Sequence, residues 1–158
     1  MKDQKLHQQY HLNKLNFMFT EDEKKQIVAA ISEAELNTSG EIRVHIEKKC
    51  KIDPIDKAIE IFEKLGMQNT KERNGVLIYV ATANNKLAII GDKGINNVVN
   101  DNFWEEIKNE MITHFKNGDF PNGLSNGIIK AGQQLKSHFP YTSDDTNELS
   151  NDISFGDE

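Results

Sequence analysis

The sequence predicts an α/β protein: a three-layer α/β/α sandwich, built as a single domain around a small mixed sheet. Three observations predict it. Val76 to Ala81 is an uninterrupted apolar run, the pattern of a strand buried on both faces. Ile42, Val44 and Ile46 alternate with Arg43, His45 and Glu47, which is the period of a strand. The segments around these strands repeat apolar residues at spacings of three and four, the period of amphipathic helices.

Each element follows from local chemistry. Thr20 and Glu23 stand in the capping-box pattern T-x-x-E, and Ile27, Ala30, Ile31 and Ala34 follow at helical spacing. A helix over 21–36 is expected, stopped by Asn37-Thr38-Ser39-Gly40. The alternating strand comes next and reads as half-buried, with His45 on its polar face as a solvated or hydrogen-bonded side chain. Asp53-Pro54 places an N-cap before a proline suited to the first helical position. The second helix should turn Ile55, Ile59, Phe62 and Leu65 inward and end at Gly66. Val76 to Ala81 forms the central strand, Thr82 to Asn85 a turn, and Leu87 to Ile90 a third strand. So short a connection implies an antiparallel hairpin. The first two strands are joined through a helix, so they should be parallel with a right-handed crossover. Trp104, Ile107, Met111 and Phe115 mark a third helix over 101–117, with Trp104 at the core or its rim. Gly118-Asp119 interrupts it, and Leu124, Ile128, Ala131, Leu135 and Phe139 carry a last helix to Pro140. Gly123, Gly127 and Gly132 each cost that helix about 0.5–1 kcal/mol relative to alanine, and are expected to permit close packing against the sheet.

A length of 158 residues suits one domain with a real core. No apolar run approaches the roughly 18 residues of a membrane span. Met1 to Tyr10 carries no apolar stretch of signal-peptide type, so the expected location is cytoplasmic. Cys50 is the single cysteine and reads as an inert thiol outside any C-x-x-C motif. His7 and His11 would share a helix face but lack a third nearby metal ligand. The charge of −6 is concentrated: from Tyr141 onward there are six of the 25 acids and no lysine or arginine. No basic run marks a nucleic-acid groove. The expected organisation is a polar N-terminal arm over 1–18, a folded domain over 19–140, and an acidic disordered tail over 141–158, the whole a monomer. The tail reads as solubilising; the alternative is a docking peptide anchored by Ile153 and Phe155.

The strand directions bring polar residues together. The two parallel strands begin at one edge of the sheet, with Gly40-Glu41 and Arg73-Asn74. The third strand runs the other way and ends at the same edge with Gly91-Asp92, and Asp101 opens the following helix. Glu41, Asn74, Asp92 and Asp101 are therefore expected to ring one mouth of the domain. The third helix spans about 25 Å at about 1.5 Å per residue, which puts Asp119 at the opposite edge. Clustered carboxylates repel when ionised, and a divalent cation relieves that repulsion. The groups are hard oxygens with no His/Cys cluster, which suits Ca²⁺ or Mg²⁺ rather than zinc. Glu41, Asp92 and Asp101 are the expected metal ligands; Arg43, Asn74 and Lys93 are the expected ligand-binding residues, with Arg43 and Lys93 able to meet a phosphate. The competing view is purely structural: Asp92 shapes the Gly91-Asp92-Lys93-Gly94 turn, and Glu41 pairs with Arg73, Arg43 or Lys93. No P-loop, Rossmann glycine fingerprint, G-x-S-x-G elbow or Cys/His nucleophile arrangement occurs.

Ser39-Gly40-Glu41-Ile42-Arg43-Val44, Arg73-Asn74-Gly75 with the run to Val80, and Lys86 to Ile95 with its Gly91-Asp92 pair resemble the TPM domain. The resemblance covers roughly Phe19 to Phe139. It implies the α/β fold above and a link to divalent cations through acidic positions at the sheet edge. Ser39-Gly40-Glu41 and Gly91-Asp92 are the matching positions. The function it implies is a small domain that binds Ca²⁺ or Mg²⁺ and acts as an interaction or regulatory module with a protein partner. The alternative is a metal-assisted acid phosphatase, although no D-x-D-x-[TV] signature is present.

Overall fold

The structure is a computed structural model that describes residues 20–141 and 152–156. The expected N-terminal arm, with His7 and His11, lies outside the described residues. The chain runs through α1 (Glu21–Ala34), β1 (Glu41–Glu47), α2 (Pro54–Lys64), β2 (Gly75–Ala81), β3 (Lys86–Gly91), α3 (Lys93–Asn96), α4 (Phe103–Lys116), α5 (Phe120–His138) and β4 (Ser154–Phe155). The sheet order is β3-β2-β1-β4. β1 and β2 are parallel, with Glu41 opposite Gly75 and His45 opposite Tyr79. β2 and β3 form the antiparallel hairpin, Val76 opposite Gly91.

Local chemistry sets the helix ends as expected. Glu23 N donates to Thr20 Oγ1 at 3.0 Å while Thr20 N donates to Glu23 Oε1 at 2.9 Å, so the capping box closes. Ile55 N donates to Asp53 Oδ1 at 2.8 Å, and Gly66 beyond α2 takes a left-handed φ of 71°. One face of the sheet presents Ile42, Val44, Ile46, Val76, Ile78 and Val80 to α1, α4 and α5. The other presents Leu77, Tyr79, Ala81 and Ala88 to α2. Each large apolar side chain buried in this way stabilises the fold by about 1.5–3 kcal/mol. The three-layer sandwich and its mixed sheet are thus present.

Four local expectations change. On α2 the inward residues are Ala58, Ile61 and Phe62, whereas Ile55 and Ile59 stay exposed at 42% and 46%. Two apolar stripes overlap on this helix, and the sheet takes the one containing Ala58, which permits a closer approach. The glycines of α5 pack on helices, not on the sheet. A Cβ on Gly132 would lie 2.6 Å from Ala34 Cβ, and one on Gly127 would lie 2.5 Å from Met111 Sδ. Asp92 begins a short helix, α3, instead of a simple turn. Lastly, β1 is an interior strand: Glu41, His45 and Glu47 are all buried. Along the later part of its outer side runs β4, parallel, with His45 opposite Ser154. Part of the acidic segment expected to be disordered therefore lies against the domain, with Ser154–Phe155 as a strand; residues 142–151 lie outside the described part.

Candidate cation- and ligand-binding edge of the sheet

The connections 37–40, 67–74 and 92–96 meet where β1 and β2 start and β3 ends. Their backbones are laced together. Asp92 N donates to Gly75 O at 2.9 Å, Gly94 N to Arg73 O at 2.8 Å, and Glu41 N to Asn74 O at 3.5 Å. A Cβ on Gly94 would come within 2.1 Å of Glu72 O, so only glycine lets these two loops close to this distance. Arg73 takes a left-handed φ of 53°, an unusual conformation for a residue with a long side chain.

That conformation aims the Arg73 guanidinium at Asp92. Nε donates to Oδ2 at 2.6 Å and Nη2 to Oδ1 at 2.9 Å, a bidentate pair. Asp92 Oδ1 also accepts from Lys93 N at 2.8 Å, capping α3. Asp92 is buried while the Arg73 side chain remains 38% exposed. The hydrogen bond to Asp92 raises the arginine pKa further, so the guanidinium stays charged. Beside it opens a cleft of about 500 Å³, walled by Ile59, Phe62, Gln68, Arg73, Asp92 and Asn96.

The other half of the edge is built around Glu35, Glu41 and Asn74. Glu35, at the C-terminal end of α1, accepts from Ile42 N through Oε2 at 2.7 Å. Burial is the main cause pushing its pKa up to about 7; the Ile42 bond opposes that shift and the Glu41 charge adds to it. Asn74 is buried, and its Nδ2 donates to Ser39 Oγ at 3.2 Å. Ser39 Oγ in turn donates to Glu72 Oε2 at 3.1 Å. The Asn74 Oδ1 atom is buried with no hydrogen-bond partner.

The expected site residues can now be placed. Glu41 and Asn74 are brought together by backbone pairing at the strand starts. Asp92 sits at the same edge but is held by Arg73. Asp101 and Lys93 are exposed, in the turn before α4 and in the first turn of α3. Arg43 is half-buried on β1 opposite Leu77, and its Nε is buried without a partner. Among the described residues, no group of three or more His, Cys, Asp or Glu side chains gathers closely enough to hold a metal ion. Two participants escaped the sequence reading. Arg73 was only one of several partners weighed for Glu41, yet it binds Asp92. Glu35 was missed altogether; the available signal was a carboxylate at a helix C-terminus, where the dipole disfavours negative charge.

The comparisons agree with this architecture. A model of the TPM domain family matches residues 13–134, and the chain belongs to that family. Its structure resembles the solution structure of the BA42 protein from the psychrophilic bacterium Bizionia argentinensis, with a TM-score of 0.81 and 53% identity over 87% of this chain and 95% of that one. An N-terminal domain from P. gingivalis shares the fold at TM-score 0.65 and 19% identity, covering 79% of this chain and 83% of its own. The N-terminal domain of a Corynebacterium glutamicum protein does so at 0.61 and 14%, covering 82% and 81%. No curated protein matches the chain. No helix among the described residues is long and apolar enough to cross a membrane.

Proposed function

We propose that the chain binds a divalent cation, Ca²⁺ or Mg²⁺, where β1 and β2 begin, and works as an interaction or regulatory module in the cytoplasm. The observation that carries this reading is the buried, unpartnered Asn74 Oδ1. An acceptor stranded in that way costs about 1–3 kcal/mol, and a bound cation would remove the cost. Glu41 supplies a carboxylate on the neighbouring strand, and Glu35, whose ionisation its surroundings oppose, would be drawn into the charged state by a cation. One amide and two carboxylates leave the rest of a coordination shell to water and backbone carbonyls, an arrangement these hard cations accept. Asp92 and Asp101 are the further proposed ligands; Asp92 would have to share its oxygens with Arg73. Arg43 and Lys93 are the proposed contacts for an anionic group on the ligand or partner.

A Ca²⁺ and Mg²⁺ titration read by amide shifts and thermal melting tests this. The expected result is shifts at residues 39–41 and 73–75 and a rise in Tm by mass action. Glu41→Gln and Asn74→Ala should each weaken the response by about tenfold or more, on the scale of losing one ligand. Asp92→Asn should lower Tm without metal, and because its oxygens are shared with Arg73 it should weaken the response less than Glu41→Gln does. Loss of the response in Asp92→Asn alone would move the site to α3, and no shift at either strand start would end the reading.

One observation favours a second reading, a metal-assisted acid phosphatase. The partly exposed Arg73 guanidinium beside Asp92, on the wall of the cleft, has the geometry to hold phosphoryl oxygens. The matching family model also carries the word phosphatase. The metal would supply charge neutralisation, while Arg73, Arg43 and Lys93 would orient the anion. Turnover of an aryl phosphate is expected to be negligible with Ca²⁺ and at most weak with Mg²⁺. Robust hydrolysis abolished by both Asp92→Asn and Glu41→Gln would replace the binding-module reading with this one.

A further inference from the structure

The outer side of β1 is covered in two pieces. At its start, Glu35 takes the Ile42 N–H. Further along, the segment Asp152–Gly156 lies parallel to the strand, with Ser154 opposite His45 and Phe155 opposite Ile46. Without this cover β1 would be an edge strand with open hydrogen-bonding groups, which readily accept another strand.

The fit of the segment is specific at four successive positions. Ile153 packs against the main core. Ser154 Oγ lies 2.8 Å from His45 Nδ1, and His45 is stacked on Tyr79 with ring centroids 5.9 Å apart. Phe155 lies under the Lys24 ammonium, 5.8 Å from Nζ to the ring centroid. Gly156 N donates to Ile46 O at 2.8 Å. At Gly156 any side chain is excluded: a Cβ would lie 2.4 Å from Glu47 Oε1, 2.7 Å from Glu47 Cβ and 3.0 Å from His45 Nε2. The floor beneath is itself fixed, because Tyr79 OH donates to Glu47 Oε2 while Glu47 Oε1 lies 3.3 Å from His45 Nε2. Every position of Ile153-Ser154-Phe155-Gly156 thus meets a distinct surface.

The attachment is nevertheless short. The strand has two residues, below the length at which pairing is stable alone. Tyr141 N is tied to Asn37 O at the start of β1. Asn37 precedes His45 by eight residues, so the place opposite His45 lies no more than about 26–29 Å away. The connection from Tyr141 to Ile153 can extend to about 40 Å, so the tether permits both docking and release.

We infer that the outer edge of β1 is a strand-binding groove for an extended segment of the pattern apolar–hydroxyl–aromatic–glycine, and that residues 153–156 are its intramolecular ligand, exchangeable with the same segment supplied in trans by a second copy. The groove adds a parallel strand by main-chain pairing and reads side chains through His45, Lys24 and Glu47. It uses different residues from the cation reading and stands independently of it.

The experiment uses the full chain with Gly156→Val, which ejects the segment without altering the groove, and a synthetic peptide covering Asn151–Glu158. Amide shifts of Val44, His45 and Ile46 are followed as the peptide is added. In the wild type the tethered segment competes at an effective concentration of roughly millimolar. The variant should therefore saturate at peptide concentrations about tenfold lower or more. Ile153→Asp, a second ejecting substitution, should behave in the same way, and a peptide with the glycine replaced by valine should leave both variants unshifted. Equal responses from wild type and both variants, no response from either variant, or equal binding of the valine peptide would overturn the inference.

Discussion

At the scale of single residues, half-buried Glu35 and buried His45 titrate in opposite senses. Glu35 is protonated more readily in the folded chain, at about pH 7, than in an unfolded one, near 4.5. Between those values the folded state holds more protons, so stability falls as pH rises through the window, and the penalty is complete above it. Glu35→Gln keeps an acceptor for Ile42 N and removes the charge. It should be more stable than the wild type by about 1–3 kcal/mol at pH 8, with the difference vanishing below about pH 4.5. Urea melts at both pH values check this; a constant difference would show that Glu35 does not titrate in that window. His45 runs the other way. Burial lowers its pKa below the ordinary 6.5, with the Glu47 contacts opposing. The folded state then holds fewer protons than the unfolded one, so acidification through 6.5 costs stability. In Glu35→Gln the His45 slope should stand alone, and stability should drop steadily from pH 7.5 to 5.5. Replacing His45 with Asn in that background should flatten the profile.

At the scale of elements, the helix pair α1 and α5 depends on close approach. Gln26 Nε2 donates to Asn122 Oδ1 at 2.8 Å near their starts, while Gly132 abuts Ala34 eight residues further along α1. Gly132→Val would drive a side chain into the α1 backbone, where Ala34 O would lie 2.8 Å from its Cβ. The expected loss is about 1–3 kcal/mol, from overpacking. The gain in helix propensity is too small to offset it. Chemical denaturation measures the change; a neutral or stabilising result would show that the two helices can separate freely. In the sequence these glycines were visible as anomalies in a helix, but nothing in their spacing said whether the sheet or another helix would occupy the space. The same ambiguity hid part of the inward face of α2: Phe62 and Leu65 of the expected stripe do pack inward, but Ala58 and Ile61 take the places expected for Ile55 and Ile59.

At the scale of the whole molecule, the charge lies in the C-terminal segment while residues 1–140 balance their acids and bases. That segment would be dispensable were it only a solubilising tail. Because Ile153 reaches the core and Phe155 meets Lys24, deleting residues 142–158 should lower stability by about 1–3 kcal/mol, the scale of burying one large apolar side chain. The loss should persist at high salt, since apolar burial and main-chain pairing are not screened. A midpoint unchanged by the deletion would show that β4 contributes nothing to the resting fold.

The sequence by itself determined the long helices, the three central strands and their order, but not the short helix α3 or the strand β4. Capping residues, prolines and glycines act over a few neighbours, and the alternation of Ile42, Val44 and Ile46 or the run from Val76 states burial directly. It also determined that Glu41, Asn74 and Asp92 share one edge, because strand direction follows from connection length. Only the tertiary structure decided which partners these side chains have. Arg73 meets Asp92 across nineteen residues through a left-handed turn, Glu35 reaches Ile42 around a helix end, and Ser154 meets His45 from the far end of the chain. Such pairings arise when separate segments are brought together by burial of the core, and no local period in the sequence records them.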